Sequence, residues 1–259
     1  MAASHARREV LDRAVLRAKL AAYPPGQFVG QESFMTAGEI LALARRAGVG
    51  PGVRVLDVCC GVAGPGRLVT RELGCDYLGV DVSAPAIALA RQRAADAGLA
   101  CAFRVGAVPP LPAGGFDVVL LLETLLAFAD KEPLLAAVAS ALRPGGRFAF
   151  TVEEGAPMSA AEAAAMPDAD TVWPVPLDQL HALLDRAGLR VRWQDECTDQ
   201  HLRVVETLVE MFAADAEHIR RHVGAPVHDD LLTAHRTWVD WLAGGRIRKF
   251  AVVAERAAA

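Results

Sequence analysis

Apolar positions along this chain follow two alternating rhythms. Val10, Leu11, Ala14, Val15 and Ala18 fall at helical spacing and predict an amphipathic helix over residues 5–22, stopped by Tyr23-Pro24-Pro25-Gly26. A second helix is expected over 36–47, closed by Gly48 and the turn Gly50-Pro51-Gly52. Val53-Arg54-Val55-Leu56-Asp57-Val58 then has the apolar continuity of a strand buried on both faces. Further strands are expected at 77–81, 101–105, 116–122, 147–153, 189–194 and 247–254, with Arg143-Pro144-Gly145-Gly146 as the turn that launches the fifth. Helices are expected between them at 64–73, 84–97, 131–142 and 176–187. Such alternation predicts an α/β fold: a doubly wound, seven-stranded, mostly parallel sheet covered on both faces.

Residues 196–244 break the rhythm and read as two or three helices, with breaks at Gly224 and Pro226. Placed before the last strand, they form a helical cap over the mouth of the sheet. The alanine-rich stretch 156–166 reads as a short helix with loop. The whole chain, 1–259, is expected to be one domain.

Composition narrows the classes. With 53% hydrophobic and 22% charged residues, a sizeable core is available and disorder is not expected. The formal charge of −4, without a long Lys/Arg run, argues against a nucleic-acid partner. The longest apolar runs, Val118–Leu122 and Leu125–Ala129, are far too short to span a bilayer, so no membrane partner is expected. Five cysteines, with Cys59 and Cys60 adjacent and no C-x-x-C pair, fit reduced thiols in a cytoplasmic protein.

The chemistry concentrates at the ends of the first two strands. Asp57 runs into Cys59-Cys60-Gly61-Val62-Ala63-Gly64-Pro65-Gly66, where glycines let backbone approach a ligand at the carboxyl edge of the sheet. Asp81 closes Leu78-Gly79-Val80-Asp81, where an acid can accept hydrogen bonds from ribose hydroxyls. A carboxylate at Asp57 would repel a pyrophosphate but attract an ammonium or sulfonium. The spacing Gly61-x-x-Gly64-x-Gly66 is also not G-x-G-x-x-G. Both points favour S-adenosyl-L-methionine over NAD, leaving an NAD-dependent oxidoreductase as the remoter alternative.

VLDVCCGVAGPGRLV, YLGVDVS, FDVVLLLETLLAF and LRPGGRFAF, in that order over residues 50–155, resemble the successive motifs of class I S-adenosylmethionine-dependent methyltransferases. The resemblance implies a Rossmann-like methyltransferase fold, with 50–155 as the cofactor-binding half and 1–48 as N-terminal helices and lid. It places Asp57, Gly61 and Ala63 along the methionine part, and Cys59 among the cofactor-binding residues. Asp81 falls on the ribose, Val82 near the adenine, and Gly106, Ala107 and Glu123 around the remainder. Cys59 and Ala63 stand where the usual acid-x-G-x-G pattern has glycines, and Gly106 is followed by Ala107 instead of an acid.

Phe28–Gly38 resembles the entry segment of phosphoethanolamine-type N-methyltransferases, with Phe34 where those tend to present tyrosine. Asp195–His201 resembles their lead into the cap. Glu123-Thr124 resembles the acid of isoprenyl-diphosphate C-methyltransferases, a position suited to stabilising a cation or removing a proton. Glu123 and His235 are therefore the catalytic candidates. Phe28, Phe34, Glu153, Trp173, His201, Arg203 and Trp238 are the candidates for the acceptor pocket. His218 and His222 lie at i, i+4 with Arg220 and Arg221 between them and no evident third ligand, so no metal is expected. The expected activity is methyl transfer to a small-molecule nitrogen, oxygen or carbon by in-line displacement. Alanine and arginine usage suggests a GC-rich bacterial source and specialised metabolism. An isoprenyl diphosphate or 2-oxo acid is the alternative acceptor, and a homo-oligomer is compatible with all of this.

Overall fold

The structure, a computed structural model, describes residues 2–112 and 114–258, and residues 2–9 by backbone alone. It opens with α1 (Ala2–Ala22) and α2 (Ala37–Arg46). Five strands and three helices follow: β1 (Arg54–Val58), α3 (Gly64–Leu73), β2 (Asp76–Asp81), α4 (Ala84–Asp96), β3 (Cys101–Val105), β4 (Phe116–Leu121), α5 (Glu132–Ala141) and β5 (Leu142–Glu154). After α6 (Ala160–Ala165), α7 (Leu177–Arg186) and β6 (Leu189–Glu196) come three helices, α8 (Thr198–Ala214), α9 (Ala216–Val223) and α10 (Ala225–Ala243), before β7 (Arg248–Arg256).

The sheet order is β3-β2-β1-β4-β5-β7-β6, with β7 antiparallel to both neighbours and the remaining pairs parallel. β1 and β4 are apolar almost without interruption because helices cover both faces; Val55, Leu56, Val119 and Leu121 are fully buried. The order reverses direction at β1/β4, and the carboxyl ends of those strands open the crevice where such sheets bind ligands.

Two boundaries differ from expectation. β5 begins at Leu142, not 147, because Leu142 pairs with Phe116 and the ladder passes through a register shift between Phe116 and Val118. Arg143–Gly146 is thus a bulge folded against β4: a Cβ on Gly146 would sit 3.0 Å from the Phe116 carbonyl oxygen. In the cap, the helices break at Asp215 and Gly224, while Pro226 falls in the first turn of α10, where its missing N–H costs nothing.

The cap is closed from the other side by α1. Val15, Ala18 and Tyr23 pack with Val204, Leu208, Phe212 and Ile219 in one buried cluster, and Arg17 pairs with Asp215 at the α8–α9 junction. Lid and cap therefore share an apolar core of their own above the sheet.

Candidate active site

The loop after β1 is built by left-handed backbone. Cys59, Gly61 and Ala63 have φ of 59°, 53° and 53°, so two non-glycine residues take up a conformation glycine adopts freely, at about 1 kcal/mol or more each. This accounts physically for the glycines those positions usually carry. α3 starts at Gly64 with no side-chain cap, leaving the first N–H groups of the helix available to an anion. A Cβ on Gly61 would meet nothing within 4 Å. One on Gly64 would fall 2.4 Å from the Val29 carbonyl oxygen, so the entry segment lies directly on this loop.

Asp81 ends β2 and ties the site together. Its carboxylate accepts from Gly61 N and from Ser83 N, each at 2.8 Å, leaving further lone pairs for a ligand hydroxyl. Val82 beside it is 68% exposed, an uncovered apolar side chain at the strand end. Gly106 N donates to the Asp81 carbonyl at 2.9 Å, which brings the turn after β3 alongside, and Ala107 is exposed there. Asp57 is buried and accepts from the Tyr77 hydroxyl at 2.6 Å. Burial, opposed by that hydrogen bond and aided by Asp81, pushes its carboxyl up to about 7. Burial likewise raises the Cys59 thiol to about 12, which disfavours its thiolate form.

The uncapped helix start, the left-handed turn, the Asp81 carboxylate and exposed Val82 fit an adenosyl amino acid: carboxylate at α3, ribose at Asp81, adenine beside Val82 and Ala107.

Glu123 lies two residues beyond β4 with φ of 57°, a strained position held by its N–H donating to Thr151 Oγ1 at 2.7 Å. Its carboxylate accepts from Lys249 Nζ at 2.7 Å, and the same ammonium donates to Glu153. All three side chains are shielded from solvent. Despite burial, Lys249 and His201 hold the Glu123 carboxyl down at about 2, while the two carboxylates raise the Lys249 ammonium. His201, fully buried on α8, lies 3.8 Å from Glu123 and 3.5 Å from Glu39. One oxygen each of Glu39, Glu123 and Glu153, and both ring nitrogens of His201, lack a hydrogen-bond partner among the described residues.

Glu123 and Glu153 form the polar floor of a cavity of about 920 Å³ roofed by α1, α8 and α10. Phe34, Leu126, Leu208, Phe212, Leu231 and Trp238 supply much of its apolar wall, with Tyr23 and His235 among them. His235 Nδ1 lies 2.8 Å from the Leu231 carbonyl, which makes that nitrogen the donor and leaves Nε2 as an acceptor; burial lowers its pKa.

Of the residues expected at the acceptor pocket, Phe34, Glu153 and Trp238 line it, as do Glu123 and His235. Four do not. His201 stands behind Glu123 without reaching the cavity surface; Arg203 is exposed on α8, because the helix turns Val204 and Val205 inward instead. Phe28 packs on Tyr23, ring centroids 5.3 Å apart, and Trp173 lines a separate cavity with Lys131. Missed from sequence were Lys249, Glu39, Tyr23 and Gln31. Gln31 staples the entry segment, accepting from Val29 N and donating to the Gln27 and Met35 carbonyls. A lysine amid the apolar run of β7 was the one available signal for Lys249.

Residues 55–146 match a family model described as a methyltransferase domain. Among curated proteins, methyltransferase GfsG of Streptomyces halstedii is 33% identical over 120 residues, 44% of this chain. The match spans 43% of GfsG, and less than half the length of the other relatives first matched. Among solved structures, phosphoethanolamine N-methyltransferase 2 of Haemonchus contortus, bound to S-adenosyl-L-methionine, superposes with a TM-score of 0.77 at 20% identity, over 97% of this chain and 60% of that one. The [4+2]-cyclase SpnF superposes with a TM-score of 0.76 at 20% identity, over 96% of this chain and 94% of its own. Residues 55–146 thus match a methyltransferase domain, and the sheet order and superpositions show that the chain has the fold of S-adenosylmethionine-dependent methyltransferases.

Proposed function

We propose that this protein transfers a methyl group from S-adenosyl-L-methionine to a small molecule held in the cavity beneath the cap. The observation that carries the reading is the shared edge. Asp57 pairs with Leu120 in the sheet, so the glycine loop after β1 and Glu123 after β4 leave neighbouring strands at the same end. The entry segment spans both, its Val29–Gly30 backbone on Gly64 and its Gln31–Phe34 stretch lining the cavity.

The cofactor, when bound, supplies a methyl group activated on a sulfonium. The residues here bind and position. Asp81 would hold the ribose, and Asp57, Cys59, Gly61 and Ala63 the methionine part. The apolar wall of lid and cap orients the acceptor and excludes water, which makes the displacement effectively unimolecular. Glu123, held ionised at about 2, suits stabilising positive charge better than taking up a proton. His235, neutral with Nε2 as acceptor, is the better placed base for an acceptor that must lose a proton.

A diphosphate acceptor is the weaker reading. Arg220 is paired with Asp229, Arg246 with Glu162, and Arg203 is exposed, so these cations do not converge on the cavity. Calorimetric titration with S-adenosyl-L-methionine, S-adenosylhomocysteine and NAD tests the cofactor half. Transfer of a labelled methyl to amines, oxo acids and hydroxylated apolar compounds tests the other. Binding of NAD alone overturns the reading. Adenosyl binding with no transfer to any acceptor favours chemistry without methylation, which the same fold hosts in a cyclase.

A further inference from the structure

We infer that the acceptor is an apolar-bodied amine, bound with its cationic group against Glu123 and Glu153. The inference rests on the methyl-transfer reading and adds the acceptor's charge and shape.

The floor of the cavity carries two carboxylates and one ammonium, all buried, so among the described residues one negative charge there is left without a counter-charge. His201 does not change this, because its outer neighbour is Glu39. The Lys131 ammonium is bound to the Phe128 and Trp173 carbonyls on the wall of the separate cavity. At the rim, Lys19 is taken by Glu32. A buried carboxylate oxygen without a donor is costly; among the described residues Glu153 Oε2 is such an oxygen on a side chain that lines the cavity, while the one on Glu123, Oε1, faces His201 Nδ1 at 3.8 Å. A ligand that brings N–H donors and a positive charge relieves both deficits at once.

The rest of the cavity sets the body of the molecule. Val15, Leu126, Leu208, Phe212, Leu231 and Trp238 are apolar, and about 920 Å³ is far more than a two-carbon amine occupies. The Lys249 ammonium already sits 6.0 Å from the Phe34 ring centroid, so an aromatic face is presented to the cation-bearing end of the cavity. A short phosphorylated amine matches neither the apolar walls nor the committed arginines.

The test uses the full chain saturated with S-adenosylhomocysteine, whose sulfur is uncharged, at pH 7.5. Decylamine, 1-decanol and decanoate, each below its aggregation threshold, are titrated by calorimetry. Decylamine is expected to bind at least about tenfold tighter than decanol, and decanoate more weakly still. Glu153→Gln should cut the amine-over-alcohol ratio to about threefold or less, with S-adenosylhomocysteine affinity retained as the check on folding. Equal binding of amine and alcohol by the unsubstituted protein overturns the inference whatever the variants do. An absent amine preference, with S-adenosyl-L-methionine much tighter than S-adenosylhomocysteine and that gap lost in Glu123→Gln, would assign the anionic floor to the sulfonium instead. Failure of both adenosyl ligands to bind would sink the methyl-transfer reading; the three titrations on the unliganded chain would still decide the charge preference.

Discussion

Lys249 Nζ and Glu123 Oε2 meet at 2.7 Å although 126 residues separate them in the chain. Removing the ammonium leaves two carboxylates buried without a counter-ion. Lys249→Met should therefore cost about 3–5 kcal/mol of stability in urea unfolding at pH 7, with Lys249→Arg less damaging. A Met variant within about 1 kcal/mol of the parent would show the pair to be dispensable.

The same pair sets an acid limit. The folded pKa of Glu123, about 2, lies below the ordinary glutamate value of about 4.3. Its contribution is thus fully present above about pH 4 and lost as pH falls toward 2. The stability of the parent minus that of Lys249→Met should therefore shrink as pH falls from about 4 toward 2, and a difference flat with pH would contradict that assignment.

Asp57 behaves in the opposite sense. Its folded pKa, about 7, lies above the ordinary aspartate value of about 4, so the folded state binds the extra proton between them. Its contribution is greatest at low pH and declines as pH rises from about 4 to 7. The stability of the parent minus that of Asp57→Asn should fall across this window. A difference flat with pH would mean the carboxyl is ionised throughout.

Asp81→Ala removes the acceptor for Gly61 N and Ser83 N together with the expected ribose contact. Hydrogen bonds to a charged group contribute about 1.5–3 kcal/mol each, so adenosyl-ligand affinity should drop at least about tenfold by calorimetry. Near-normal affinity would remove Asp81 from the cofactor site.

Gly64→Ala drives a methyl into the Val29 carbonyl and the Gly30 backbone, neither of which is a flexible side-chain end. We expect a loss of about 1–3 kcal/mol and weaker cofactor binding, because the entry segment must lift from the loop. Gly61→Ala, which meets open space at φ of 53°, should cost about 1 kcal/mol or somewhat more, from backbone conformation alone. Equal thermal shifts for the two variants would argue against the contact.

The layered fold was legible because buried strands and amphipathic helices write their period into local sequence: Arg54–Val58, Asp76–Asp81 and Cys101–Val105 fall within a residue or so of their expected bounds. The loop motif pointed to Asp57 and Asp81 for the same local reason. The anionic floor was only half legible. Glu123 and Glu153 stand at strand ends, where acids draw notice, but Lys249 joins them through an antiparallel strand that pairs Glu153 with Lys249. His201 and Glu39 meet because Lys249 N donates to Thr198 Oγ1 and pins the start of α8 beside β7. None of that pairing has a sequence period. Arg203 and His201 lie two residues apart and are both polar, and the turn of α8 sends one outward and buries the other.

The entry segment touches Gly64 with one stretch of backbone and faces the cavity with the next. A wall common to two compartments is where occupancy of one would be felt by the other. Whatever free energy one ligand contributes to ordering residues 27–36, the second no longer has to supply, and reciprocity requires the same factor in both directions. Affinities for acceptor and cofactor would then shift together, by one shared factor.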